Sequence, residues 1–152
     1  MIEITTNQTL EVNHILSYRA KVRMVEFNRI ATTMEEKMRQ RGIKRVGNAI
    51  TATFAVENDA MDMEILIPIE GKTSSFEDYK YKERLRLVNA AKLTYKGNPA
   101  GLQNACNELN QYMAEKQLQP ITVGYNVTKH MDPINMENTE ICVYVGVNPN
   151  EL

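Results

Sequence analysis

Apolar residues recur at three- and four-residue steps in the stretch from Lys92 to Leu118. Leu102, Ala105, Cys106, Leu109 and Met113 mark one face of a helix that lies on something flat. Its start is signalled by Asn98 as N-cap and Pro99 at the first helical position, where a missing N–H costs nothing. The pattern occurs once before, offset by about 75 residues. Phe27, Ile30, Ala31, Met34 and Met38 take the same steps, and Gly42 stands at the expected C′ position. Alternating residues precede both helices: Val12, Leu16, Tyr18 and Ala20 in one case, Leu87, Ala91, Leu93 and Tyr95 in the other.

Two strands follow each helix. In the first half they run from Ile50 to Val56 and from Met63 to Ile69, around turn chemistry at Glu57-Asn58-Asp59. In the second half they run from Ile121 to Val127 and from Thr139 to Val147, around the longer segment TKHMDPINMEN. With helices expected at about Met24–Arg41 and Pro99–Gln117, each half reads strand, helix, strand, strand. The expected fold is therefore α+β: two pseudo-symmetric β-α-β-β repeats with helices packed on one face of antiparallel sheet. We expect one domain over residues 1–152, with repeat 1 at about 11–70, a crossover at 71–83 and repeat 2 at about 84–147. Met1 to Leu10 reads as a polar lead-in.

The last strands of the halves align by their similar wording, Glu64-Ile65-Leu66-Ile67 against Glu140-Ile141-Cys142-Val143. Period two sends Ile65, Ile67 and Ile69, and likewise Ile141, Val143 and Val145, toward the helices. Glu64, Glu140, Cys142 and Tyr144 share the opposite face, where they form a candidate ligand or partner cleft. Two carboxylates and a phenol could do acid–base work there. The plainer alternative is that both glutamates face solvent on a half-exposed sheet. Phe76, Tyr79 and Tyr81 in the crossover, and Met131, Ile134 and Met136 in the long loop, are apolar residues in segments expected to face solvent. Of these, Phe76, Tyr79, Met131, Ile134 and Met136 are the candidate partner contacts, the alternative being loops folded back onto the core.

Composition narrows the function classes. A formal charge of −1, with Lys and Arg scattered along the chain, is a poor footprint for nucleic acid. The sequence holds no apolar run of the roughly 18 residues a membrane helix needs. It also starts without a basic and apolar leader, so we expect a cytosolic protein. Cys106 and Cys142 fit reduced cytosolic thiols, and Cys142 has no basic sequence neighbour to activate it. His14 and His130 stand apart without metal-ligand spacing, so neither a metal nor another cofactor is expected. His14 matches Asn89 under the shift and reads as a hydrogen-bonded structural residue.

The segment Thr94-Tyr95-Lys96-Gly97-Asn98-Pro99 resembles the strand-to-helix turn of the GyrI-like effector-binding domain, and Glu64 to Ile69 resembles its terminal strand. That resemblance implies small hydrophobic or cationic effectors, bound beside a DNA-binding unit or by the domain alone. It also implies, for some members, hydrolysis of strained electrophiles by a pocket glutamate, whose position matches Glu140. The chain departs from the pattern in having no tryptophan, in having Tyr144 where a proline usually stands, and in lacking a helix-turn-helix. A narrower likeness, carried by MDMEILIPIE from Met61 to Glu70 and by overall similarity, is to a GyrI-like family of Firmicute type VII secretion loci that includes a staphylococcal chaperone. It implies a non-enzymatic chaperone or targeting adaptor that binds a secreted nuclease toxin in the cytosol and delivers it, transiently at the membrane, to the secretion ATPase. A groove for an amphipathic helix or an edge for an added strand would suit such a role. The alternative function is a small-molecule effector binder, or a hydrolase using Glu140 as base and Tyr144 as acid.

Overall fold

The structure, a computed structural model, describes residues 2–58, 60–130 and 134–147. The chain divides into two compact units: Val12–Leu85, and Met1–Glu11 together with Arg86–Leu152. The elements in order are β1 (Ile2–Arg23), α1 (Phe27–Gln40), β2 (Ile50–Glu57), β3 (Ala60–Pro68), β4 (Tyr79–Lys96), α2 (Leu102–Glu115), β5 (Tyr125–His130) and β6 (Glu140–Gly146). One tight helical turn precedes each α-helix, at Met24–Glu26 and at Pro99–Gly101. The architecture is the expected α+β one, with the order strand, helix, strand, strand in each unit.

In the first unit β3 is central and pairs antiparallel with β1 on one side and β2 on the other. Alternation puts Leu16 of β1 and Ile65, Ile67 and Ile69 on the face that meets Met34 and Met38 of α1. In the second unit β6 is central, between β4 and β5. Ala91, Leu93, Tyr95, Ile141, Val143 and Val145 there pack with Ala105, Leu109 and Met113 of α2. Both sets of helix-facing residues are those the periodicity predicts. At the start of α2, the Asn98 side chain accepts the Ala100 N–H at 2.9 Å, with Pro99 beside it.

Strand lengths differ from expectation. The stretch read as a polar lead-in is strand from Ile2 onward, and Ile4 packs on the core of the second unit. The crossover is also shorter, because β4 begins at Tyr79. Alternation is hidden in these long strands because single residues with left-handed backbone reset which side faces in: Asn7 (φ 55°) and His14 (φ 61°) in β1, Asn89 (φ 51°) in β4. His14 and Asn89 are equivalents, and each turns its carbonyl to accept the N–H just beyond the last strand of its unit, from Ile69 at 2.9 Å and from Val147 at 3.3 Å. The strand expected from Ile121 begins only at Tyr125, although Ile121 N–H reaches Gly146 O at 2.8 Å.

Register also corrects the internal alignment. Leu16 faces Ile67 and its equivalent Ala91 faces Val145; Ser17 faces Leu66 and its equivalent Lys92 faces Tyr144. Matched through these pairs, Glu64 corresponds to Cys142, and it is Asp62 that corresponds to Glu140. The similar wording of the two strands is two residues out of step, which preserves the face and displaces the charge along the strand.

Candidate functional site

Glu64 sits in the middle of β3, directly opposite Arg19 of β1 and Ala52 of β2. Its side chain points away from α1, onto the face shared with Ser17, Ile50, Ala52 and Leu66. All of these are buried, Glu64 at 5% exposure and Ser17 at 3%. The solvent-facing alternative therefore does not hold for Glu64. A carboxylate taken out of water needs opposite charge and hydrogen bonds to remain ionised. Both are supplied at one oxygen: Ser17 Oγ donates to Glu64 Oε2, and Lys82 Nζ donates to the same atom at 2.5 Å. The Lys82 side chain remains 45% exposed while that of Glu64 is 6% exposed. Chemically the site is a buried hydrogen-bond acceptor with aliphatic residues on one side and the donors Ser17 and Lys82 on the other.

The flank of this face carries a second charged group. Arg19 donates from Nε and Nη2 to the two oxygens of Asp62, at 3.2 and 3.1 Å, and lies 3.9 Å from the centre of the Phe54 ring. The hydrogen bond from Arg19 holds the Asp62 carboxyl below its ordinary value of 3.8.

The other expected cleft residues lie on β6 in the second unit. Glu140 is ion-paired with Lys96 at 3.6 Å and keeps 32% of its side chain exposed. Cys142 is buried, its sulfur 3.9 Å from Thr94 Oγ1. Tyr144 is buried too, faces Lys92 and Tyr125 across the ladder, and has Lys92 Nζ 5.5 Å from its ring centre. Glu140 and Tyr144 are four positions apart along one strand, roughly 13 Å at 3.3 Å per residue. In this arrangement Glu140 is engaged by Lys96 and the Tyr144 ring by Lys92.

The crossover aromatics fold back onto the first unit's core. Tyr79, expected in solvent, is 7% exposed, and its ring centre lies 5.2 Å from Tyr18 and 5.3 Å from Phe76. Burial pushes its phenol above the ordinary value. Phe76 is half-buried under the Arg41 guanidinium, and the OH of half-buried Tyr81 meets His14 Nδ1 at 2.7 Å. Ile134 is 96% exposed, while Met136 is half-buried; Met131 lies outside the described residues. Cys106 is half-buried on α2, where burial pushes its thiol up. Among the described residues no group of three or more His, Cys, Asp or Glu is placed to hold a metal. No described helix is long and apolar enough to cross a membrane.

The sequence reading missed Ser17 and Lys82. A polar residue between Leu16 and Tyr18, on the side away from the helix, was the available signal for Ser17; Lys82, in a run of charged residues, gave none.

No protein-family model matches the chain, and no curated protein matches it in sequence. Solved structures do match in shape. The crystal structure of the EcmrR C-terminal domain superposes with a TM-score of 0.81 at 12% identity, over 97% of this chain and 98% of that one. EcmrR in its DNA complex gives 0.82 at 13% identity over 96% of this chain, which spans only 57% of the length of that protein. A hydrolase from Listeria innocua gives 0.60 at 14% identity, with 97% and 91% covered. SAV2435 bound to tetraphenylphosphonium gives 0.52 at 8% identity, with 98% and 94% covered. These likenesses show the fold, an α+β arrangement of two β-α-β-β repeats, and none of them names a secretion substrate or a secretion apparatus.

Proposed function

We propose that this chain is a small-molecule effector-binding domain, and that Glu64 is the anchor of its ligand site. The observation that carries the reading is a carboxylate 5% exposed on a sheet face shared with the buried Ile50, Ala52 and Leu66 and with the polar Ser17 and Arg19. Replacing a buried ion pair by apolar residues of similar volume is often neutral or stabilising, so stability alone is a weak reason for Glu64 to be there. Such a site suits a cationic molecule with an apolar body: the charge meets Glu64 and the body meets the aliphatic wall. SAV2435, a fold relative, is bound to a ligand of that type, tetraphenylphosphonium. The same geometry favours binding without turnover, since Glu64 is committed to Ser17 and Lys82, and Glu140 to Lys96. The chaperone role, with a secreted toxin and a secretion ATPase as partners, rests on sequence resemblance and gains no support from the fold relatives.

The test is calorimetric titration with tetraphenylphosphonium and a panel of smaller aromatic ammonium ions, using wild type and Glu64→Gln. Wild type is expected to bind at least one of them, and Glu64→Gln to bind it roughly tenfold more weakly or worse, as when one partner of a desolvated charge pair is removed. A panel without heat and without a rise in Tm overturns the reading, because any ligand of the folded state must raise Tm.

A further inference from the structure

Resting on that reading, we infer that Lys82 is the resident cation of the Glu64 site, a gate that any cationic ligand must displace and a neutral ligand need not. Three observations support it. Lys82 and Ser17 donate to the same oxygen, Oε2, so the position a ligand cation would take is already held. The two ends of the ion pair are unequally buried, with Glu64 at 6% side-chain exposure and Lys82 at 45%. Lys82 lies near the start of β4, with a flexible stem that can carry its ammonium back into water while the backbone stays in place. Ser17, by contrast, is 3% exposed in the middle of β1, on a short side chain, so its hydroxyl remains with the carboxylate.

The consequence is one of selectivity. With Lys82 in place the site is balanced in charge, and a cation gains only the difference between its own attraction to Glu64 and that of the ammonium. A neutral molecule of the same shape displaces no charge and pairs with none. Lys82 therefore narrows the preference for cations, and its removal widens it.

Tetraphenylphosphonium serves as the cationic probe and triphenylphosphine, which has no strong hydrogen-bond acceptor, as the neutral one, titrated calorimetrically into wild type, Lys82→Arg and Lys82→Met. Lys82→Met is expected to bind the cation roughly tenfold more tightly or better, the low end of coupling for close charge pairs. Its affinity for the neutral probe should not change, and Lys82→Arg should behave as wild type. Lys82→Gln, which keeps a donor without the charge, replaces Lys82→Met if that variant does not fold. In protein carrying 15N-lysine, the Lys82 ammonium signal should move when the cation binds, and stay unmoved with the neutral probe. Equal cation affinity in wild type and the charge-free variants, or an unmoved Lys82 signal in the saturated protein, overturns the gate while leaving the effector site standing. Absence of cation binding in every variant overturns both.

Discussion

At the level where β3 of the first unit carries Glu64, β6 of the second carries Cys142, and the two surroundings differ accordingly. Glu64 has Ser17 and Lys82 hydrogen-bonded to it, and Ala52 opposite it on β2. Cys142 has Val127 opposite it on β5 and only a 3.9 Å approach of its sulfur to the Thr94 hydroxyl. Both positions are buried. The helix-facing sides of the two sheets, by contrast, carry the same kind of aliphatic set. The plan of strands and helix thus works with a thiol at this level as well as with a charge. A charge present in one copy only, with its own donors, is therefore not required by that plan.

Exchanging the two residue types tests this most severely. Cys142→Glu places a carboxylate in a buried position whose polar neighbours, the Thr94 hydroxyl and Lys92 (the counterpart of Ser17), lie against the sulfur and the Tyr144 ring, and should lower stability by about 3 kcal/mol, as leaving a buried charge without its own donors does. Glu64→Cys removes a charge that has its partners, releases Lys82 to solvent, and should change stability by about 1 kcal/mol or less. Urea unfolding at neutral pH measures both. Equal losses would mean that the Glu64 cluster is no better prepared for a charge than its counterpart, and the comparison would break.

The parts of this molecule legible in its sequence are those set by local period. Leu102 to Met113 and Phe27 to Met38 announce their helices, and Ile65-Ile67-Ile69 and Ile141-Val143-Val145 announce their inward faces, because each pattern needs only its own neighbours. The left-handed residues at Asn7 and His14 hide the rest of β1 by resetting its alternation. The correspondence of Glu64 with Glu140 failed because wording repeats two residues off register, and only the ladder pairs of Ser17 and Lys92 reveal the slip. Ser17 and Lys82 lie 47 and 18 positions from Glu64. Nothing in local pattern joins residues so far apart; strand pairing does.

A smaller contrast sits at the helix ends. Gly42 after α1 has φ 69° and Gln117 after α2 has φ 57°, and the residue following each donates back into its helix, Ile43 to Met38 O at 2.9 Å and Leu118 to Met113 O at 2.8 Å. The turn is the same, but only one is made by the residue type that takes a left-handed backbone without strain. A Cβ at Gly42 would meet nothing within 4 Å, so Gly42→Ala should cost about 1 kcal/mol through backbone strain alone. Gln117→Gly should gain up to about 1 kcal/mol by the reverse argument. Chemical denaturation of the pair gives both signs, and a loss in Gln117→Gly would show that its side chain does more than tolerate the turn.

The least effect is expected at Asp62, the counterpart of Glu140. Arg19 holds Asp62 through two hydrogen bonds, whereas the Lys96 ammonium lies 3.6 Å from Glu140. The Asp62 carboxyl is held below 3.8 in the folded chain, chiefly by the hydrogen bond from Arg19. A carboxyl depressed on folding adds stability that is fully present above its unfolded value and is lost as pH falls through the folded one. Wild type should therefore exceed Asp62→Asn by a constant margin above about pH 5, and the margin should close as pH falls through the lowered folded-state value. Arg19 is exposed and Asp62 only half-buried, so the margin should be small and should shrink further in salt. Urea midpoints of the two proteins across this range, at low and high salt, read it directly. A margin that survives at the acid end would assign the difference to the shape of the Asp62 side chain and not to its charge.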